Sequence, residues 1–146
     1  MLYNRPMTPK YDLSGRNALI TGGARRLGKA FALALAQHGC NVAVHYGTSS
    51  KAAEETVAES LALGVKAVAV SADLADASQT KQLFTQSMEA LGGIDILINN
   101  ASLFEPLDWR QTELNNWQVH FDINLTAPFF LSQAMGSIWK VNAERS

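Results

Sequence analysis

Eight residues, Thr21-Gly22-Gly23-Ala24-Arg25-Arg26-Leu27-Gly28, constrain this chain more than any other segment. Before them, Asn17-Ala18-Leu19-Ile20 reads as a short buried strand. After them, Leu27, Phe31, Ala34 and Leu35 recur at helical spacing, so strand, tight turn and helix follow in order. A turn of this kind aims free backbone N–H groups and the positive helix end at one point, where a pyrophosphate can sit. Glycine suits it because a side chain would keep a dinucleotide from touching the backbone. The alternative is an ordinary strand-to-helix loop. The flanking pattern favours a nucleotide site.

Strand and helix patterns alternate through the rest of the chain. Asn41 to Tyr46 reads as a second strand, and Ser49 or Ser50 caps a helix running to about Leu63, ended by Gly64. Val65 to Ser71 alternates towards a third strand. Asp76 or Ser78 opens a helix with Phe84, Met88 and Leu91 on one face, and Ile94 to Asn99 is a fourth strand. From about Thr112 the pattern is helical, with Leu114, Trp117, Phe121 and Leu125 in one stripe and a further helix beginning near Asn124. The β-α-β-α order predicts an α/β fold: a parallel sheet with helices on both faces and right-handed crossovers. In such sheets the ligand crevice lies at the carboxyl ends of the strands. Residues 15–146 form one domain behind a polar lead-in over residues 1–14.

Composition narrows the function classes. At 146 residues, 47% hydrophobic and 17% charged, the chain is a soluble globular domain with a real core. A net charge of −1 predicts no general attraction to nucleic acid or an anionic membrane. No apolar run reaches spanning length, and the N-terminus lacks the apolar region of a signal peptide. The single cysteine, Cys40, forms no internal disulfide and fits a reducing cytoplasm. Its place between a helix and a strand suits a half-buried structural thiol. His38 and His120 have no acid or nucleophile at useful spacing, so both read as structural, and no metal site is expected. Trp109 and Trp117 belong to core or interface.

The motifs carry a resemblance. Thr21-Gly22-x-x-x-Arg26-x-Gly28, Asp73-Leu74, Asn99-Asn100-Ala101-Ser102 and Asn124, in that order, resemble the N-terminal series of the short-chain dehydrogenase/reductase family. Arg26 stands where the family pattern has glycine. That departure, with His45-Tyr46-x-x-Ser49 and Asn-Asn-Ala-Ser-x-Phe, resembles the pteridine reductase branch. The resemblance covers about residues 15 to 135 and implies a Rossmann-type fold, of which the chain holds the first four strands. It implies that Gly22, Arg26, Leu27 and Gly28 wrap a cofactor pyrophosphate. Asp73 would accept from the adenine amino group with Leu74 beside the ring, unless Asp73 is merely a helix cap. Asn99 and Ala101, in the run ending at Ser102, would line the nicotinamide ribose. Phe104 would stack a pterin against the nicotinamide, or else pack its loop onto the core.

Charge argues for the cofactor. Folds selective for NAD place a carboxylate after the second strand to meet the ribose 2′-hydroxyl. Here that neighbourhood is His45, Tyr46, Gly47, Thr48 and Ser49, with no acid before Glu54. Hydroxyls and a guanidinium hold the 2′-phosphate of NADP, which a carboxylate would repel. Arg25 and Ser49 are the expected contacts, with His45 and Tyr46 beside them. NADP(H) is the expected cofactor.

The family's chemistry uses a tyrosine with a lysine four residues later. The residues four beyond Tyr3, Tyr11 and Tyr46 are Met7, Gly15 and Ser50, so none matches. Of the family's catalytic set only Asn124 is present, where it would help hold the lysine through a water. The expectation is a cofactor-binding half of an NADPH-dependent reductase acting on a pterin-like small molecule, inactive by itself. Two alternatives stand: a non-catalytic NADP-binding module, and a carbonyl reductase of the ketoacyl type. With the fourth strand on an edge and Leu125, Phe129, Phe130 and Met135 uncovered, self-association or a homo-oligomer is expected.

Overall fold

The computed structural model of the chain describes residues 12–143, so the lead-in lies, through residue 11, outside the described residues. Strands β1 (Asn17–Ile20), β2 (Asn41–Tyr46), β3 (Ala67–Ser71) and β4 (Ile96–Ile98) form one parallel sheet in the order β3-β2-β1-β4. Between and after them come α1 (Arg26–Gln37), α2 (Ser50–Ala62), α3 (Ala77–Leu91), α4 (Leu114–Phe121) and α5 (Ala127–Ala143). A π-helical segment, Asp122–Thr126, joins the last two. Among the described residues no helix is long and apolar enough to cross a membrane.

Parallel strands must be covered on both faces, and the alternation of side chains supplies two apolar surfaces. Leu19, Ala43 and Val70 pack with Leu83, Phe84 and Leu91 of α3 and with Leu131 and Met135 of α5. Ala18, Ile20, Val42 and Val44 pack on the opposite side with Ala32 of α1 and Ala53 of α2. The expected helices on both faces are therefore present. The chain runs outward from β1 to β3 and then returns past β1 to β4, so the order reverses between β1 and β4. That reversal is where open α/β sheets leave a crevice.

The amino ends of the strands are tied by side-chain polar groups. Asn41 Nδ2 donates to Asn17 Oδ1 at 2.8 Å, and Asn41 Oδ1 accepts from the Lys66 N–H at 2.8 Å. Asp95 Oδ2 accepts from the Asn17 N–H at 2.9 Å, with Arg16 3.3 Å from its other oxygen. Asp95 is thus spent within the fold and is not a free charge on the edge. β4 pairs with β1 alone among the described residues.

Several boundaries differ from expectation. β3 begins at Ala67, not Val65, and β4 covers Ile96–Ile98, with Ile94 buried in the core before it. Asp76 caps α3, accepting from the N–H groups of Ser78 at 2.8 Å and Gln79 at 3.1 Å. Ser49 takes the N-cap position of α2, but its hydroxyl makes no capping bond. No helix begins at Asn124. The chain stays helical across it, because Pro128 has no N–H to return to the Asn124 carbonyl and the ladder widens there. The Ala127 N–H reaches the Asp122 carbonyl, five residues back.

The aromatic and thiol expectations also shift. Trp109 is 79% exposed, its ring under the Arg110 guanidinium at 4.7 Å, so it is not a core residue. Leu114, Trp117, Phe121 and Leu125 are all exposed, and α4 buries no residue. Cys40 is fully buried, beyond the half-burial expected. Burial first, and then the Asp95 charge, pushes its pKa up to about 11, which keeps it a protonated, inert thiol. His38 bonds the Ala34 carbonyl. His120 bonds the Asn116 carbonyl through Nδ1 and accepts the Glu105 N–H at Nε2, a structural role as expected.

Leu83 tests this account of the core, since it is fully buried between α3 and the sheet. Leu83→Ala should lower the unfolding free energy by about 3 kcal/mol in a urea titration. Leu61→Ala, on the exposed side of α2, should stay within about 0.5 kcal/mol of the parent. Equal losses at the two positions would mean that α3 does not pack as described.

Candidate functional site

A cleft of about 980 Å³ opens at the carboxyl ends of all four strands. Its wall follows β1 with Gly22, Arg25, Arg26, Leu27 and Gly28, and follows β2 with His45, Gly47 and Thr48. Ser71, Ala72, Asp73 and Leu74 continue it after β3, and Asn100, Ala101 and Ser102 after β4. Residues from 22 to 102 in sequence meet there because parallel strands deliver every carboxyl end to one edge.

The turn between β1 and α1 owes its shape to missing side chains. Gly22 has φ +62°, and a Cβ on it would come within 3.1 Å of Ala101 Cα and of Asn100 Nδ2. A Cβ on Gly28 would run into the Gly22 carbonyl and stand 2.7 Å from Asn100 Nδ2. Arg26 is the one non-glycine with positive φ among the described residues, at 49°. An L-residue held there costs roughly 1–2 kcal/mol, which places a strained cation at the first position of α1. Arg25 is the N-cap and makes no side-chain cap bond. Neither guanidinium has a carboxylate partner among the described residues. The first N–H groups of α1 have no intrahelical acceptor, and the residues that carry them, Arg26, Leu27 and Gly28, line this opening.

The turn is braced from behind by three elements. Thr21 Oγ1 accepts from the N–H groups of Asn100 and Ala101, both at 3.0 Å. Asn100 Nδ2 donates to the carbonyls of Thr21 at 3.0 Å and Gly22 at 3.2 Å. Thr56 of α2, fully buried, donates to the Ala24 carbonyl at 3.2 Å. From β2, His45 Nδ1 accepts the Gly22 N–H at 3.0 Å and its carbonyl accepts the Gly23 N–H at 2.9 Å. Gly22 and Gly23 therefore give their N–H groups to the protein. What Gly22 contributes to the cleft is backbone shape and not a donor.

His45 is only 3% exposed. Its Nε2 donates to the Ala72 carbonyl at 3.1 Å, so both ring nitrogens are engaged. Burial lowers its pKa from the usual histidine value, the Ala72 bond opposing that in part. The imidazole is neutral and has no donor left for a phosphate; it stands beside the expected contacts, with both nitrogens held by the protein.

The other expected residues divide. Asp73 accepts the Ala75 N–H at 2.9 Å and is not the cap of α3, which is Asp76. Asp73 and Leu74 line the cleft, as do Ala101 and Ser102. Ser49 stands one residue beyond Thr48, outside the wall. Tyr46 packs on the α1–α2 core. Asn99 turns away, donating to Ser132 Oγ of α5 at 3.3 Å. Phe104 is 84% exposed and outside the wall, so it does not pack its loop onto the core. Asn124 is outside the wall too, and clamps Leu103: its Nδ2 donates to the Leu103 carbonyl at 2.9 Å and its Oδ1 accepts the Leu103 N–H at 2.8 Å.

Asn100, Thr48, Gln79 and Ile123 line the cleft without having been singled out by sequence. Asn100 and Thr48 each carried a signal, as residues just past a strand end. Gln79 enters through a local bond, accepting the Asp73 N–H at 2.9 Å. Ile123 arrives from the π-helical segment, which only tertiary packing brings near.

Comparison with known proteins places this geometry. The sequence pattern of the short chain dehydrogenases matches residues 16–145. The chain is 40% identical over 126 residues to a 3-oxoacyl-[acyl-carrier-protein] reductase of Synechocystis sp., covering 86% of this chain and 51% of the relative. It is 37% identical over 123 residues to a hydroxynaphthalene reductase of Aspergillus fumigatus, covering 83% and 44%. The crystal structure of a short chain dehydrogenase from Burkholderia cenocepacia in complex with NADP superposes with a TM-score of 0.84 at 37% identity, over 87% of this chain and 52% of that one. The chain spans about half the length of the curated relatives it matches. With its fold, its glycine turn and its motif order all in place, the chain belongs to the short-chain dehydrogenase family.

Proposed function

We propose that this chain is the NADPH-holding part of a reductase that delivers hydride to a carbonyl group of the ketoacyl type. The observation that carries the cofactor reading is the cleft at the β1/β4 reversal. Two guanidiniums without carboxylate partners among the described residues, Arg25 and Arg26, stand there beside the N-terminus of α1. No carboxylate lies between the end of β2 and Glu54, where one would exclude a 2′-phosphate. A relative solved in complex with NADP supports the same reading. Arg25, Thr48 and Ser49 are assigned to the 2′-phosphate, and Arg26, Leu27 and Gly28 to the pyrophosphate. Asp73 and Leu74 are assigned to the adenine, and Ala101 and Ser102 to the nicotinamide ribose. The bound cofactor supplies the hydride, and the chain's residues bind and orient it.

A 3-oxoacyl reductase among the relatives favours a carbonyl substrate. The pterin reading rested on Arg26, on His45-Tyr46-x-x-Ser49 and on the run ending in Phe104, and the relatives named above lend it no support. None of the three tyrosines has a lysine four residues on, so these residues bind NADPH without oxidising it. Asn124 is assigned to holding the loop after β4 in place for the nicotinamide. The buried free thiol accords with a reducing, cytoplasmic setting.

The exposed rings of Trp117, Phe121, Phe129 and Phe130, with Leu125, make an apolar face that we assign to contact with a second copy of the chain. Sedimentation velocity of dilute protein should show a dimer or larger species. A monomer at all concentrations would remove this assignment.

Isothermal titration should show tighter binding of NADPH than of NADH. Arg25→Ala should narrow that gap by about 1.5–3 kcal/mol, the worth of a charge-assisted bond to phosphate. Equal affinity for the two cofactors in the parent would overturn the NADP reading. Mixed with NADPH and either an acetoacetyl thioester or dihydrobiopterin, the protein should oxidise no cofactor above background. Steady turnover that scales with protein would show a proton donor beyond those identified, and the substrate used would name the class.

A further inference from the structure

The cleft contains one titratable group that the assigned contacts do not use. His45 stands at the end of β2 with its ring between two backbone groups of different elements. One is the Gly22 N–H, in the turn assigned to the cofactor pyrophosphate. The other is the Ala72 carbonyl, one residue before Asp73, which is assigned to the adenine. We propose that His45 is a positioning residue for the cofactor, its neutral Nε2–H tautomer bracing the glycine turn against the adenine side of the cleft. This rests on the NADPH reading of the cleft.

The physical argument begins with the two nitrogens. Nδ1 is the only acceptor the Gly22 N–H has among the described residues, in a part-buried bond whose acceptor ring is 3% exposed. Leaving such a donor unmet favours a different turn, and the turn is what presents Arg25, Arg26 and the N–H groups of α1. A proton on Nδ1 would convert the acceptor into a second donor pointed at the Gly22 N–H, and the brace would become a repulsion. Burial resists that proton, so the ring stays neutral at pH 7 and takes it up only below its ordinary value.

Charged neighbours do not change the sign. Arg25, Arg26 and Asp73 share the cleft wall with the ring, the first two opposing a proton and the third favouring it. β1 and β3 carry no titratable side chain within their strands. Lys51, Glu54, Glu55 and Glu59 of α2 and Lys81 and Glu89 of α3 are exposed, and Lys29 of α1 pairs with Glu59 at 2.7 Å. Acid also weakens the fold itself: below about 6.5 the unfolded chain takes a proton that the folded chain refuses, so stability is full above that value and declines as pH falls towards the lowered folded pKa.

Three variants separate positioning from packing. Asn presents a side-chain oxygen where Nδ1 now sits and does not titrate, whereas Gln is too long to place an acceptor there and Ala has none. NADPH dissociation constants of the parent, His45→Asn, His45→Gln and His45→Ala are measured from about pH 8 to about pH 5, with circular dichroism melts as the control for folding. Because the 2′-phosphate itself titrates near pH 6, the parent is compared with the Asn variant at each pH. Gln and Ala should weaken binding by about tenfold, as for a donor left unmet, and Asn should recover most of that loss. Towards acid the parent should lose affinity more steeply than Asn. In the parent, the imidazole nitrogen resonances should report Nε2–H at neutral pH, and the Gly22 amide should shift as the ring titrates.

Asn and Gln binding equally, whether both intact or both weakened in step with their melts, would reduce His45 to packing and overturn the proposal. Parent protein that shows the Nε2–H tautomer but binds no NADPH at any pH would overturn the cofactor reading, and this role with it. Tight NADPH binding with no difference among the four proteins would overturn the positioning role alone.

Discussion

Between Gly28 and the Gly22 carbonyl there is no room for a methyl group, and the Asn100 amide closes the same gap from the other side. This three-way contact joins the start of α1, the turn after β1 and the end of β4 at van der Waals distance. Asn100 then bonds the carbonyls of Thr21 and Gly22, and Thr21 Oγ1 bonds back to Asn100 and Ala101. The reversal in strand order becomes an opening of defined shape because both sides of it are held by the same few atoms. Any side chain at Gly28 would push α1 away from β4, and the cleft would lose both its floor and its helix end together.

From that contact outward, the structure spends its polar groups in two distinct ways. At the amino ends of the strands, Asn17, Asn41 and Asp95 bond one another or the neighbouring backbone. At the carboxyl ends, Arg25, Arg26 and Asp73 keep their charges facing the cleft, while Thr21, His45, Thr56 and Asn100 are consumed in holding the backbone beneath them. A parallel sheet makes this division natural, since each strand brings a fresh loop to the same edge. The buried polar groups fix geometry, and the exposed ones are left for the ligand.

The later part of the chain is organised differently. Pro128 denies the Asn124 carbonyl its partner, and the resulting π-helical segment carries Ile123 into the cleft wall while turning the Asn124 amide onto Leu103. One imino acid thus couples the helix after the loop to the loop itself. Beyond it, α4 buries nothing, and its aromatic stripe faces outward with Trp117 and Phe121 rings 4.8 Å apart. The spacing of that stripe was plain in the sequence. Its direction was not, because a periodic apolar face looks the same whether it meets a core or a partner.

The element order, the parallel sheet with helices on both faces, the glycine turn and the strand-end location of the cleft were all legible from residues 15 to 135, because burial period and turn chemistry are local properties. Gly22, Arg26, Gly28, Asp73 and Ala101 all line the cleft, in the loops that follow β1, β3 and β4 or in the first turn of α1. What each polar side chain does there was decided only by the tertiary structure. Asn99 and Asn100 are adjacent and chemically identical, yet one turns to Ser132 and the other locks the turn, because successive residues leave a strand on opposite sides. Position put His45 only beside the expected phosphate contacts; pairing β2 beside β1 and β3 brings the Gly22 N–H and the Ala72 carbonyl onto its two nitrogens. Hydrogen-bond partners of that kind come from chain segments more than 20 residues apart, and no local pattern encodes them.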